Sequence, residues 1–84
     1  MKKISYSLIQ LFLKKMINKR CERQISQLKL AEMVDCHINT INNIETKRKN
    51  PSFEMAIRIS IVLNFSIDDI SSEFYKNNIW NPTD

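Results

Sequence analysis

Two short stretches with helical spacing of apolar residues, separated by only a few residues, constrain the fold of this chain most strongly. The first runs from Gln27 to Val34, and Ser26 before it is a good N-cap. The second runs from Ile38 to Glu45, with Ile41 and Ile44 three residues apart and therefore on one face. We expect two amphipathic helices joined by a tight turn.

The outer face of the second of these helices is polar and rich in amides. Its residues lower helix propensity rather than raise it, and they offer no packing in return, so a function is the simplest explanation. Amide side chains on a helix can read base edges in the major groove of DNA. Exposed Asn side chains are otherwise only solvated, and composition alone leaves this alternative open. The residues concerned are Asn39, Thr40, Asn42 and Asn43.

The remaining sequence predicts three more helices and almost no strand. Apolar spacing predicts a helix from about Tyr6 to Lys19, another from Phe53 to Leu63 and a last one from Ile67 to about Tyr75. Ser52 is the expected N-cap of the fourth helix, and Ser66 with Asp69 resembles a capping box for the fifth. The predicted fold is all-α, a compact five-helix bundle. It forms a single domain over residues 1–84, with its core at about 6–75 and a C-terminal tail at 76–84.

Turn and core positions follow from the same spacing. The chain contains no glycine, so turns that need a positive φ must use other residues, and we expect Asp35 and Lys47 there, with Asn64 ending the fourth helix. The segment 46–51 is an expected loop, because it combines three adjacent cations with a proline. The expected core residues of the first three helices and their turn are Leu8, Ile9, Phe12, Leu13, Met16, Leu28, Leu30, Ala31, Val34, Cys36, Ile41 and Ile44.

Length and composition exclude several classes of protein. Eighty-four residues leave little room for a deep catalytic cleft, and no carboxylate pair, credible Cys–His pairing or phosphate loop occurs, so we expect no enzyme. Cys21, Cys36 and the single His37 do not make a zinc site; no metal and no cofactor are expected. The sequence contains no bilayer-spanning stretch and no signal-peptide cleavage site, which predicts a cytoplasmic protein without membrane contact.

Charge is distributed unevenly along the chain. Residues 1–58 contain twelve Lys or Arg against five Asp or Glu, a net +7, whereas residues 59–84 contain one Lys against four acidic residues, a net −3. A basic front and an acidic back suit a protein that meets phosphate on one side. A solvated basic surface without a partner is the alternative, and charge alone does not decide between them.

Further anchors at fixed spacing extend the pattern beyond the two central helices. They are Ser26-Gln27, Leu30-Ala31-Glu32, Ile41, Ile44-Glu45, Asn50-Pro51-Ser52, Ile59, Leu63 and Ser66-Ile67-Asp68-Asp69-Ile70. Together they resemble the phage repressor and Cro-type helix-turn-helix family, often called the XRE family, over residues 12–71. The resemblance implies a phage-repressor-type bundle with a helix-turn-helix formed by helices 2 and 3. It also implies a sequence-specific regulator of transcription that binds double-stranded DNA. We expect repression rather than activation, because a single domain leaves no second one to bind an effector or RNA polymerase.

The same resemblance implies roles for individual residues. Gln27 would contact a backbone phosphate, helped by the N-terminus of its helix, and Arg20 would form a structural ion pair with Glu45. His37 would either cap the recognition helix or touch phosphate. The base-reading positions fall on Ile38, Asn39 and Asn43, with Thr40 and Asn42 close by. The loop residues that would contact phosphate are Lys47, Arg48 and Lys49.

The chain departs from the family pattern around the turn. Asp35 and Lys47 stand where glycine is usual, Cys36 where a small aliphatic residue is usual, and His37 where a Ser or Thr cap is usual. Asp tolerates the left-handed conformation better than most residues. The departures therefore affect the fine geometry of the turn rather than the fold.

A module of this size buries about 600–1,000 Å² against DNA, which generally gives only modest affinity. Because two copies can bind two half-sites together, we expect a homodimer on an inverted-repeat operator. The candidate dimer surface consists of Ile67, Ile70, Phe74, Tyr75, Ile79 and Trp80. The alternative is that these side chains fold back onto the first and fourth helices of their own chain. A different class also stays open: an antitoxin-like or other protein-interaction module with autoregulatory DNA binding.

Overall fold

The computed structural model describes residues 7–78, which form five α-helices and no strand. The all-α prediction is confirmed. The third and fourth helices have the predicted bounds, whereas the first starts and ends later than expected and the fifth is longer. The helices are α1 (Leu8–Glu22), α2 (Gln27–Met33), α3 (Ile38–Glu45), α4 (Phe53–Leu63) and α5 (Ile67–Asn78).

Serine side chains accept backbone hydrogen bonds at the starts of four helices, α1, α2, α4 and α5. Ser7 forms a reciprocal capping box with Gln10: its Oγ accepts from the Gln10 N–H at 3.1 Å, and Gln10 Oε1 accepts from the Ser7 N–H at 3.1 Å. This motif explains why α1 begins after Tyr6. Ser26 and Ser52 cap α2 and α4 as predicted. Ser66 Oγ accepts from the Asp68 N–H at 3.0 Å, one residue before the donor that a capping box would use.

Left-handed residues close the first four helices in one repeated arrangement. Asp35, Lys47 and Asn64 have φ values of 60°, 67° and 61°, as predicted from the missing glycines, and Gln24 joins them at 57°. In each case the next residue donates its N–H to a carbonyl five residues earlier, for example Ile25 to Arg20 at 3.0 Å. This is the Schellman pattern, which satisfies the last carbonyls of a helix. The sharp turns that hold the bundle together therefore form without glycine.

The helices pack around one hydrophobic core. Helix α1 lies against α3, α4 and α5, and α2 packs on α3. Leu11 is buried, although the spacing did not single it out, whereas Leu28 is 53% exposed and Leu8 is half exposed, so both were wrongly placed in the core. Leu28 faces away from the side of α2 that Leu30, Ala31 and Val34 bury. The buried apolar residues are Leu11, Phe12, Leu13, Met16, Leu30, Ala31, Val34, Ile41, Ile44, Ile59, Leu63 and Ile70.

Helix α5 covers α1, which corrects part of the expected dimer surface. Ile70 is only 4% exposed and belongs to the core of its own chain, so it is not available to a partner. Ile67 and Phe74 are partly buried against the same core. Tyr75 is about half exposed, and Ile79 and Trp80 lie outside the described residues. The apolar side of α5 thus packs onto its own chain, as the alternative to the dimer surface expected.

None of the five helices within residues 7–78 combines the length and the apolar character needed to span a membrane.

Candidate nucleic-acid interface

Helix α3 turns its apolar side inward and its amides outward. Ile41 and Ile44 are buried in the core, and at about 100° per residue Asn39 falls on the opposite side of the helix. Asn39 is exposed, and Asn42 and Asn43 are half buried on either side of it. We call Asn39, Asn42 and Asn43 the reading face. Its width is that of one helix, which matches the major groove of DNA.

The other two expected base-reading residues lie at the margins of this face. Thr40 is half buried and lines a groove of about 250 Å³ together with Asn43, Lys49 and Asn50. Ile38 is partly buried and packs against the core. Only the remaining part of the Ile38 side chain is accessible to a ligand.

His37 caps α3. Its Nδ1 accepts a hydrogen bond from the Asn39 N–H at 3.1 Å, and its extended backbone (φ −75°, ψ 148°) is that of an N-cap residue. The sequence left two roles open for His37, helix capping and phosphate contact, and the structure shows the cap. The imidazole is exposed, and its ring lies at the N-terminal end of α3.

Arg20 and Glu45 form a two-pronged ion pair between the ends of α1 and α3. Arg20 Nε lies 2.7 Å from Glu45 Oε2, and Arg20 Nη2 lies 3.0 Å from Glu45 Oε1. The two side chains are only 15% and 7% exposed. The hydrogen bond to Glu45 raises the pKa of Arg20, so the guanidinium stays charged. Arg20 also donates from Nη1 to the Ile25 carbonyl at 2.8 Å, which ties the pair to the α1–α2 turn.

Gln27 extends this ion pair to the reading face. Its Nε2 donates to Glu45 Oε1 at 2.9 Å, and its Oε1 accepts from Asn42 Nδ2 at 3.4 Å, a longer contact. Four side chains from three helices are therefore linked in the order Arg20, Glu45, Gln27 and Asn42, which we call the amide relay. One N–H of Gln27 remains for a further acceptor.

The loop after α3 presents its cations to solvent. Lys47, Arg48 and Lys49 are all exposed. The N–H groups of Arg48 and Lys49 both donate to the Asn43 carbonyl, at 2.9 and 3.1 Å, so the loop is bound directly to the end of α3. The backbone of the loop is thus fixed beside the reading face, and its three cationic side chains extend from there into solvent.

Two arginines have roles that sequence reasoning missed. Arg23 donates from Nη1 to the Val62 carbonyl at 2.8 Å. Arg58 donates from Nη1 to the Val34 carbonyl at 3.1 Å and pairs with Glu54 at 2.6 Å. A backbone carbonyl has no signature in a sequence, so no pattern could have identified the Val62 and Val34 partners. The i, i+4 spacing of Glu54 and Arg58, by contrast, was a signal for their ion pair. Part of the basic charge of residues 1–58 therefore holds the fold.

Cys36 lies in the helix-turn-helix turn and is partly buried against the core. Burial raises the pKa of its thiol, and the neighbouring Asp35 carboxylate adds to this effect, while Arg58 and a hydrogen bond with Thr40 oppose it. The residue thus behaves mainly as a small packing group. Residues 7–78 contain no cluster of His, Cys, Asp or Glu that could hold a metal ion.

Two packed helices joined by a tight turn, with an exposed polar second helix followed by a cationic loop, have the architecture of a helix-turn-helix DNA-binding domain. Comparison with known families supports this: a helix-turn-helix family model matches residues 16–70. The chain belongs to this helix-turn-helix family, of the XRE type, and is a DNA-binding transcription regulator. No curated protein and no solved structure matches it.

Proposed function

We propose that this protein is a sequence-specific repressor that binds an inverted-repeat operator as a homodimer, with α3 of each copy in the major groove. The observation that carries the proposal is the reading face, three asparagines turned away from the core beside three exposed cations. Bound across a promoter, such a domain represses by occlusion, which requires nothing beyond DNA binding.

Base reading falls to the amides of α3. Asn39 and Asn43 are the residues for bidentate contact with adenine N6 and N7, since neither side chain has a hydrogen-bond partner among the described residues. Asn42 completes the reading face, and Thr40 and the accessible part of Ile38 add to the reading set at its margins. An operator that contains A·T pairs in each half-site follows from this choice of residues.

Phosphate contacts surround the reading face. Lys47, Arg48 and Lys49 supply charge after α3, and Gln27 offers its remaining N–H at the start of α2. His37 stands at the N-terminus of α3, where its exposed ring can approach the backbone of DNA while its Nδ1 maintains the cap. These contacts carry affinity and orientation rather than sequence preference.

The dimer surface is proposed around Phe53 and Ile67. Ile70 is buried, but Ile67 lines an apolar groove of about 200 Å³ that Phe53, Leu8 and Ile57 also line. Phe53 is 82% exposed at the start of α4, which is unusual for a phenylalanine in a monomeric domain. We assign a second copy of the chain to this groove, because two copies are needed to occupy both halves of an inverted repeat.

Sedimentation at micromolar concentration tests this surface. It should give a dimer for the wild type and a monomer for Phe53→Ser; Ile61→Ser, at another exposed apolar site, is the control and should stay dimeric.

Selection of binding sites from a random DNA library, at a stated salt concentration, tests the function directly. Recovery of a two-fold repeat supports the proposal, and retention of DNA without a preferred sequence would refute it. Asn43→Ala should weaken preferred sites by about 1–3 kcal/mol and relax one base position. Lys49→Ala should weaken all sequences alike and lower the salt slope by about one. Equal effects of both changes on all DNA would mean that the reading face is wrongly assigned.

A further inference from the structure

We propose that the amide relay fixes the orientation of the Asn42 carboxamide, so that Asn42 presents its Oδ1 to DNA and selects a base with an exocyclic amine, adenine or cytosine. Gln27 is then a positioning residue for specificity, in addition to its phosphate contact. This inference rests on the proposed function, since it assigns one of the bases that α3 reads.

The direction of each hydrogen bond in the relay follows from chemistry. Arg20 can only donate, and an ionised Glu45 can only accept. The side of the Gln27 amide that faces Glu45 must therefore be its NH₂ group, which places Nε2 2.9 Å from Glu45 Oε1. A flipped Gln27 would put its carbonyl oxygen against a carboxylate that is 7% exposed and has its charge fixed by Arg20.

The consequence passes to α3 through the other end of the same amide. With Nε2 committed, Gln27 Oε1 faces Asn42, and only a donor can satisfy it. Asn42 therefore turns its Nδ2 inward, 3.4 Å from that oxygen. Its Oδ1 is left on the other side of the carboxamide, and no donor among the residues that the structure describes contacts it. The atom of Asn42 that remains for a ligand is thus an acceptor.

A fixed acceptor in the major groove distinguishes between bases. Adenine N6 and cytosine N4 are donors there, whereas guanine O6 and thymine O4 are acceptors that an amide oxygen repels. Asn43 provides the internal contrast, because its side chain has no partner among the described residues and can turn either end toward DNA. Asn42 should discriminate donor from acceptor, and Asn43 should read adenine with both ends.

The experiment begins with the wild-type site recovered by selection, in which each base position is then varied to all four bases in competition binding. Asn42→Ala identifies the position that Asn42 reads, and this change leaves the bonds of Glu45 in place. At that position the wild type should prefer adenine or cytosine by about tenfold, the typical cost of one mismatched base.

Gln27→Met removes both ends of the relay amide and releases Asn42. We expect it to reduce the preference at the same position to about twofold or less, while it weakens binding to all sequences through the lost phosphate contact. Lys47→Met is the matched control, since it removes a proposed phosphate contact outside the relay. It should weaken all sequences without changing any base preference.

The outcomes separate the inference from the function on which it rests. A wild-type repeat whose preference at the Asn42 position survives Gln27→Met would overturn the inference alone, as would a preference for guanine or thymine there. Loss of preference at every position in Gln27→Met would show a general structural role and would also overturn it. A wild type without any preferred sequence would overturn the proposed function itself.

Discussion

Replacing Arg20 by methionine should cost far more stability than removing the equally short ion pair on α4. Glu45 is 7% exposed and accepts two hydrogen bonds from Arg20 and one from Gln27. Arg20→Met leaves the carboxylate with Gln27 alone. Breaking a buried pair by removing one partner costs about 3–5 kcal/mol, a large part of the 5–15 kcal/mol that stabilises a typical domain.

The control is the other Arg–Glu pair of the described chain. Arg58 Nη2 and Glu54 Oε2 are 2.6 Å apart, but their side chains are 44% and 72% exposed. Water and salt screen such a pair, so Glu54→Ala should cost about 0–1 kcal/mol. The shortest N–O distances of the two pairs differ by only 0.1 Å, so distance does not explain the expected difference. Burial does, together with the second Arg20–Glu45 bond and the Arg20 bond to the Ile25 carbonyl.

Urea unfolding followed by circular dichroism measures both free energies of unfolding. With a slope of about 1–2 kcal/mol/M for a small domain, Arg20→Met should lower the urea midpoint by about 1.5 M or more. The double variant Arg20→Met, Glu45→Met should recover most of the loss, because it leaves no buried charge. It also keeps the test decisive if the single variant is unfolded without urea. A double variant no more stable than Arg20→Met, or a single variant within 1 kcal/mol of Glu54→Ala, would refute the reasoning.

Three further predictions concern the helix ends and the turn. His37→Ala removes the α3 cap and should lower the free energy of unfolding by about 1 kcal/mol; an unchanged urea midpoint would contradict the capping role. Lys47→Gly relieves a positive φ and should raise the free energy of unfolding by up to about 1 kcal/mol. Asn64→Gly should change it little, because asparagine already tolerates this conformation. Equal urea midpoints for the Lys47→Gly and Asn64→Gly variants would contradict this prediction. Iodoacetamide should modify exposed Cys21 faster than Cys36, because burial raises the Cys36 pKa and lowers its thiolate fraction; peptide mass spectrometry compares the rates, and faster labelling of Cys36 would contradict the assignment.

The parts of the fold that could be predicted from the sequence are those that local chemistry determines. Ser26 and Ser52 are N-cap residues that indicate helix starts, and the bounds of α3 and α4 follow from caps and apolar spacing. Asp35 and Asn64 were identifiable as left-handed residues, because their side chains tolerate that conformation. Gln24 was not, since nothing in glutamine favours it and only the closure of α1 requires it.

The parts that could not be predicted depend on which neighbour an element meets. The spacing of α5 places Ile70 on its apolar face but does not indicate whether α1 or a second copy of the chain covers that face. Asn42 and Asn43 look equivalent in the sequence, and only the packing of α2 on α3 brings Gln27 to one of them. Apolar spacing identifies which face of a helix is buried, but only the three-dimensional structure shows which helix packs against that face.

Within residues 7–78, three of the four arginines make structural hydrogen bonds that the loop lysines do not make. Arg20, Arg23 and Arg58 all donate to backbone carbonyl oxygens of other segments, whereas two of the three exposed cations after α3 are the lysines Lys47 and Lys49. Acylating reagents attack lysine amines and remove their charge, but they leave guanidinium groups untouched at neutral pH. Lysine acylation therefore strips charge from the loop beside the reading face while the arginine bonds that hold the helices together persist.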